Sequence, residues 1–381
     1  MGKHLLLVGG GHAHLSVLAD LASFQDAGHH VTLVSPADHH YYSGMGPGLL
    51  SGYYTPQECR FNVRRMAEKG GATFIRSKVL SIVPEKNTAR LENGMAVGYD
   101  VCSFNTGSLP PSKVAGSGRA DVFPVKPIEN LLYAKRHMED IVAMGGSPKV
   151  LVIGGGPAGF ELAGNACKLI GCGCNDTPDV AVAPGRGLLT RFPERVRQLA
   201  YRSLARRGIK IFDGLTVSRL EDGTAILSDG LRVPYDVAFL AIGVTPQPDL
   251  ARFGIAMGGA KGQGGILVDT FLRSVNHPNI FGGGDCISFQ PRELDKVGVY
   301  PVRQNPVLRH NLMAALEGRD LMAFTDTEGG YLLILNCGDG QGILSKGFLT
   351  YEGQTAMWLK DRVDRAFMKR FQVSGELEED L

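Results

Sequence analysis

No run of this sequence stays apolar for the roughly 20 residues that a membrane-spanning helix requires, so no transmembrane segment is predicted. There is no Cys-x-x-Cys. The cysteines (Cys59, Cys102, Cys167, Cys172, Cys174, Cys286 and Cys337) are odd in number. A secreted disulfide framework is therefore not expected, and most of these residues read as reduced thiols. An excess of one charge is also missing. Lys and Arg total 40 against 38 Asp and Glu, a net of +2, which leaves no electrostatic footprint for nucleic acid. Met1-Gly2-Lys3 leads almost at once into Leu5-Leu6-Leu7-Val8. That run is too short for a secretory leader, and Leu6 stands where a myristoylation signal carries Ser or Thr. Cytoplasmic placement is the expectation.

Glycine is plentiful, at 51 of 381 residues. The glycines follow short apolar runs and form no low-complexity tract. That placement suits tight turns and close backbone approach to ligands. With 44% hydrophobic and 20% charged residues, the balance is that of a globular protein, and the length points to two or three domains.

Two of the glycine clusters share one pattern. A strand over residues 4–8 runs into Gly9-x-Gly11-x-x-His14, then a helix from about Ala13 to Ala27. A strand over Lys149–Ile153 runs into Gly154-x-Gly156-x-x-Gly159, then a helix to about Ile170. The first glycine permits the tight turn, the second lets backbone approach a pyrophosphate, and the third lets helix and strand pack closely. The pattern predicts an α/β chain with two Rossmann-like dinucleotide sites. The first motif carries His14 where a small residue is usual. The strands Val31–Ser35 and Val180–Ala183 also end without the acidic residue that grips a ribose. Ser35 takes that place in one, and its hydroxyl can still bond a ribose hydroxyl. Pro184-Gly185-Arg186 takes it in the other. Arg186 has two readings: a partner for a 2′-phosphate, favouring NADPH, or a solvated loop residue.

Residues 41–52, rich in glycine and aromatics, read as a functional loop. Helices are predicted over 127–144, 193–207 and 306–317, and strands near 73–83, 88–92, 331–336 and 343–349. The final helix, about Met357–Phe371, spaces Leu359, Val363, Phe367 and Phe371 four residues apart, with Trp358 beside them. It sets Lys360, Arg362, Arg365, Lys369 and Arg370 against Asp361 and Asp364. Such a helix lies on a membrane surface, or packs on its own domain or on a second copy in a homodimer.

Further segments fit one known pattern. Phe104-Asn-Thr106-Gly107 resembles the A-T-G turn of flavoproteins with two dinucleotide-binding domains. Leu240-Ala-Ile242-Gly243-x-x-Pro246 resembles their second interdomain signature, and Asn279-Ile-Phe-Gly-Gly-Gly284-Asp285 their G-D motif. Together these segments cover nearly the whole chain. They are similar to type II NADH dehydrogenases, sulfide:quinone reductases and ferroptosis-suppressor-type quinone reductases. Gly9–His14, Tyr42-Ser-Gly-Met45-x-Pro47-Gly48, the segment 299–308 and Phe367-Met-x-x-Phe371 resemble the flavoprotein module that some bacteria fuse to selenide, water dikinase.

The resemblance implies a discontinuous FAD domain (1–115 and 245–325), an inserted NAD(P) domain (116–244) and a C-terminal α+β region (326–381). It implies FAD contacts from Gly9, Gly11, His12, Ser35, Thr106, Gly107, Gly284 and Asp285; His12 and His14 have a second reading as general acids beside one as packing or backbone contacts. Val79 is placed by the adenine, and Met45, Pro47, Val302 and Gln304 by the isoalloxazine ring. Gly154, Gly156, Pro157, Ala158, Arg186 and Gly243 fall to the NAD(P)H side. The implied reaction passes a hydride from NAD(P)H to FAD, then two electrons to a quinone or similar acceptor. Glu161 is implied beside the nicotinamide; its other reading is a carboxylate favoured by the helix start. Asn165 stands where relatives often carry a second Glu. Gln304 and Lys296 are candidates for quinone or flavin contacts, Lys296 also for a solvated surface residue. No metal site is read.

Two rivals stand. A sulfide:quinone reductase-like enzyme needs two cysteines at the flavin. Cys172-x-Cys174 instead falls in the connection before strand 180–183, and Cys337 has no evident partner. A flavin-binding assembly subunit without nicotinamide turnover is kept open by the two missing ribose acids.

Overall fold

A computed structural model of the chain describes residues 2–111, 114–171, 179–259, 264–325, 331–373 and 376–378. Two five-stranded parallel sheets carry it. The first has the order Ile280–Gly282, Val101–Phe104, His4–Val8, His30–Ser35, Thr73–Arg76. The second has the order Val122–Pro124, Val237–Leu240, Val150–Ile153, Val180–Ala183, Lys210–Ile211. The inner strands are nearly unbroken apolar runs, as sheets covered on both faces require. Every residue of Val150–Ile153, Val180–Ala183 and Val237–Leu240 is buried.

The strand Ile280–Gly282 returns to the first sheet after the whole second sheet has been laid down. The chain thus crosses between the sheets twice. The crossings are the short strands Ser108–Leu109 and Thr245–Pro246, which pair antiparallel. This topology sets each glycine turn at the C-terminal end of its sheet's strands, where open α/β sheets take ligands.

Residues 41–52, expected as a loop, hold the 3-10 turn Ser43–Met45 and the helix Gly46–Leu50, and three further expectations need correction. The helix expected over Ala13–Ala27 is broken into a 3-10 turn His12–His14 and helices Leu15–Leu18 and Leu21–Asp26. At the break, Asp20 turns its carboxylate away from the helix axis. One oxygen accepts from Ser23 Oγ at 2.6 Å, and the other from Arg309 Nε at 2.5 Å. The helix expected over 306–317 begins earlier and spans Val299–Glu317 with Pro306 inside it. It lies across the first glycine turn, where the Ser16 N–H donates to Asn305 Oδ1 at 2.6 Å.

The third correction concerns the C-terminal helix, Gln354–Phe371, which packs on the antiparallel sheet Leu333–Asn336, Gly342–Lys346, Leu349–Gly353. Its buried side chains are Ala356, Met357, Lys360, Asp364, Met368 and Phe371, while Val363 and Trp358 are exposed. Lys360 and Asp364 stay inside because they neutralise each other and keep hydrogen bonds. No described helix is long and apolar enough to cross a membrane.

Candidate functional site

At the end of strand His4–Val8 the backbone must turn sharply beneath Asn105. Gly9 adopts φ +90°, and a Cβ there would lie 2.3 Å from the Asn105 carbonyl. Gly11 faces the same residue, where a Cβ would meet Asn105 Oδ1 at 1.8 Å. His14 fills the third motif position by hydrogen bonding. Its Nδ1 donates to the Gly9 carbonyl at 2.6 Å, leaving Nε2 to accept from Ser103 Oγ at 2.8 Å. Burial holds this imidazole neutral, with its pKa pushed down to about 4. His14 is thus a structural clamp between turn and sheet.

Around this turn the structure gathers residues from far apart in the chain. Gln304, 1% exposed, accepts the Gly284 N–H on Oε1 at 2.7 Å. Asp285 Oδ2 accepts from Ser108 Oγ at 2.7 Å and Lys126 Nζ at 2.6 Å. Burial alone would raise the Asp285 pKa, but the Lys126 ammonium and these hydrogen bonds win and lower it. Lys296 is partly buried, with its ammonium on the Ile287 carbonyl and its pKa lowered by that burial. It is not a solvated surface lysine. Gln247 Nε2 donates to the Thr106 carbonyl at 3.1 Å, tying the second crossing strand to the turn that ends in Gly107. Three buried nitrogens here lack a hydrogen bond: His12 Nε2, Asn105 Nδ2 and Gln304 Nε2. Buried polar atoms are normally paired, so this ring is built to receive a polar ligand.

The other first-site residues are arranged as follows. The Ser35 hydroxyl donates to the Ala37 carbonyl at 2.9 Å, an alternative bond that competes with any ribose. Val79 opens strand Val79–Val83, just past Ser77, whose N–H donates to the Ser35 carbonyl. Met45 and Pro47 are buried at the start of helix Gly46–Leu50, which packs on helices Asn130–Ala143 and Pro157–Leu169. Val302 lies in the first turn of Val299–Glu317.

The second turn divides its glycines differently. At Gly159 a Cβ would lie 2.1 Å from the Gly154 carbonyl, whereas at Gly156 it would meet nothing within 4 Å. Gly159 therefore serves packing, and Gly156 leaves open space before the helix start. Pro157 is half-buried and Ala158 exposed there. Gly243 has φ +89° and is exposed at the end of strand Val237–Leu240. Arg186 is exposed in the loop after the buried Pro184.

Glu161 is buried. Its Oε1 accepts the Asn336 N–H at 2.7 Å, joining helix Pro157–Leu169 to the C-terminal sheet. Burial raises its pKa to about 7, against the pull of the Lys360 ammonium. Lys360 donates to the Gly44 carbonyl and to Asp364 Oδ2, each at 2.7 Å, and Asp364 Oδ1 accepts from Tyr42 at 3.2 Å. Charge attraction links Glu161 to Lys360, and hydrogen bonds from Lys360 and to Asp364 tie the C-terminal helix to Gly44 and Tyr42.

Lys126, Asn105, His40, Lys360 and Asp364 belong to this site although sequence reading gave none of them a site role there. His40 meets His12, 28 positions away, Lys126 meets Asp285, 159 away, and Lys360 meets Gly44, 316 away, beyond any local motif. Cys59, Cys102, Cys286 and Cys337 are buried free thiols. Burial pushes each thiol pKa up, to about 12 for Cys337. Cys172 and Cys174 lie outside the described residues.

The family model described as pyridine nucleotide-disulphide oxidoreductase matches residues 3–310. The chain belongs to that family. This oxidoreductase is 30% identical over 146 residues to an internal alternative NAD(P)H-ubiquinone oxidoreductase A1, mitochondrial, of Solanum tuberosum; the match covers 36% of the chain and 28% of the relative. The chain thus spans less than a third of that protein's length. A probable ferredoxin reductase, CtmF, of Castellaniella defragrans is 26% identical over 80% of the chain and 72% of the relative. Among solved structures, sulfide:quinone oxidoreductase of Aquifex aeolicus superposes with TM-score 0.79 at 17% identity, covering 99% of this chain and 94% of that one. NDH2 of Plasmodium falciparum, in complex with NADH, gives 0.80 at 14% identity, covering 97% of each. These two likenesses speak for the fold.

Proposed function

We propose that the protein is an FAD-dependent NAD(P)H dehydrogenase that passes electrons to a quinone or similar acceptor. The observation that carries the reading is the ring of unpaired buried nitrogens around a glycine turn too tight for any side chain, closed by the Asp285–Lys126 pair. These residues fit a flavin dinucleotide. Gly9, Gly11 and Gly284 leave backbone accessible, while His12, Asn105, Thr106, Gly107 and Asp285 offer polar groups. Bound FAD would supply two-electron exchange between a nicotinamide hydride and an acceptor. The protein's own part is to hold, shield and protonate. Gln304 fixes the Gly284 N–H and keeps Nε2 for the cofactor. Lys296 and Lys126 supply positive charge beside Asp285. Glu161, with a pKa near neutrality, and Lys360 are placed to hold protons where the two domains and the C-terminal region meet.

Gly154, Gly156, Pro157 and Ala158 form the NAD(P)H turn, and the exposed Arg186 favours NADPH. Within the family, we place the chain with flavoprotein modules of the kind fused to selenide, water dikinase, on the strength of the four segments named above. We place it in the cytoplasm, on the inner face of the membrane. Trp358 and Val363, exposed on a helix that also carries Arg362, Lys369 and Arg370, support surface attachment.

The test is anaerobic reduction of purified protein with NADH, NADPH and sulfide in parallel. Loss of the flavin band with NADPH, and more slowly with NADH, is expected. No bleaching by either nucleotide would leave an assembly subunit, and bleaching by sulfide alone a sulfide:quinone reductase-like enzyme.

A further inference from the structure

His12, whose free nitrogen faces the cofactor site, is hydrogen-bonded on its other nitrogen to His40, a residue that the proposed function leaves without a part. His12 Nδ1 and His40 Nε2 are 2.8 Å apart, with the rings edge-on at 81°. Aromatic rings surround His12. Phe367 stacks on His12 at 6.0 Å, Tyr42 lies at 5.3 Å and Phe61 at 6.4 Å. His12 is 7% exposed and its Nε2 has no partner, although it directly follows Gly11. His40, on strand His39–Tyr41, is only partly buried. The pair therefore leads from a partly exposed ring to an unpaired nitrogen inside the site.

One ring must donate to the other across this bond, so a neutral pair satisfies it in either tautomer. Burial, aided by the Lys126 ammonium, keeps both imidazoles neutral, His40 with its pKa pushed down to about 4. Of the other titratable groups facing the pair, Tyr42 is a phenol held un-ionised chiefly by burial, and Asp364 behind it is taken up by Lys360.

We propose that His12 and His40 are a proton wire that feeds solvent protons into the cofactor site. The inference rests on the dehydrogenase reading. Reduction of a quinone by NAD(P)H needs one proton from water: the hydride brings two electrons and one hydrogen, and the quinol carries two. His40 takes a proton on Nδ1 from water, its Nε2 proton passes to His12 Nδ1, and the proton on His12 Nε2 leaves toward the acceptor. One proton enters, one leaves, and no electron moves through the rings. The wire resets as the rings turn. Lys126 discourages a lasting imidazolium, so the pair accepts a proton only as it hands one on.

The test uses the full-length holoprotein as wild type, His40→Phe and His40→Gln. The first variant keeps ring volume beside His12, and the second serves if the first is unstable. Reoxidation by a soluble quinone is expected to slow at least tenfold, with a larger solvent isotope effect, and added imidazole restores most of the rate. Nicotinamide-driven reduction in the same samples is the internal control, because hydride transfer draws no proton from water. Unchanged reoxidation in both variants overturns the wire and leaves the dehydrogenase reading intact. A separate readout is the 15N spectrum of histidine-labelled wild type near pH 7. Two neutral imidazoles, with the His12 Nε2 resonance shifting when FAD is removed, support the wire. An imidazolium signal, or no shift, overturns it even if neither nucleotide reduces the protein.

Discussion

Glu161 is a carboxylate held against its preference. Its ordinary pKa is 4.5, and burial raises it to about 7. Between those values the folded protein keeps a proton that the unfolded chain has released. Stability therefore falls as pH rises through that window, and levels off above it. In Glu161→Gln the Asn336 N–H keeps an acceptor while the titration disappears. The loss of unfolding free energy between about pH 5 and pH 8 is expected to shrink by about 3 kcal/mol, measured by urea denaturation at both pH values. An equal pH dependence in the variant would mean that Glu161 is not the buried acid. Asp285 has the opposite sense, since its folded pKa is lowered. Its contribution is present above the ordinary carboxylate range and is lost as pH falls through its folded value. Asp285→Asn removes the charge that pairs with Lys126. The purified variant is expected to retain less than a tenth of the wild-type flavin per protein, read from the visible absorbance.

At the scale of elements, Gly156 and Gly159 separate binding from packing within one turn. Gly156→Ala adds a methyl group into open space. The melting temperature should hold while KM for the nicotinamide nucleotide rises about tenfold, or ~1.4 kcal/mol. Gly159→Ala drives a methyl group against the Gly154 carbonyl. It should lower stability by about 1–3 kcal/mol, although alanine is ordinarily the better helix residue. If both variants melt alike, that division of labour is wrong. The C-terminal helix gives a second contrast. Lys360→Met leaves Asp364 buried without its ammonium partner, a cost of about 3–5 kcal/mol. Lys360→Met with Asp364→Leu replaces both charges by apolar groups and should recover most of that loss in thermal denaturation.

For the whole molecule, the buried face of this helix decides how membrane attachment can be examined. Deleting the helix would remove Met368 and Phe371 and uncover the first core they pack into, so loss of binding after deletion would say nothing specific. Trp358→Glu with Val363→Glu changes only exposed positions. This variant should keep its flavin and its melting temperature, but sediment with anionic liposomes at less than half the wild-type fraction. Equal sedimentation would remove the helix from the attachment surface.

The sequence by itself determined the two glycine turns, the α/β class and the order in which the sheets are built. Those features are local: a four- or five-residue apolar run, a glycine that must turn, and a helix that follows are written in adjacent residues. It also pointed to Asp285, just past strand Ile280–Gly282, and to Gln304, in helix Val299–Glu317, through the motifs that resemble known flavoproteins. Only the tertiary structure decided their partners. Lys126 reaches Asp285 because the chain crosses between the sheets and returns, and His40 meets His12 because strand His39–Tyr41 comes to lie beside the first glycine turn; no local period records either. His14 looked like a defect in its motif until Gly9 and Ser103 were seen to occupy both its nitrogens. The final helix showed most plainly what pattern alone misses. A four-residue spacing set Val363 on the apolar face and counted Lys360 among the opposing charges, yet Val363 is exposed and Lys360 is buried because Asp364, Gly44 and the nearby Glu161 together hold its charge. Hydrophobic periodicity ranks residues by their transfer from water one at a time, whereas a folded interior accepts a charge whose partners arrive from other parts of the chain.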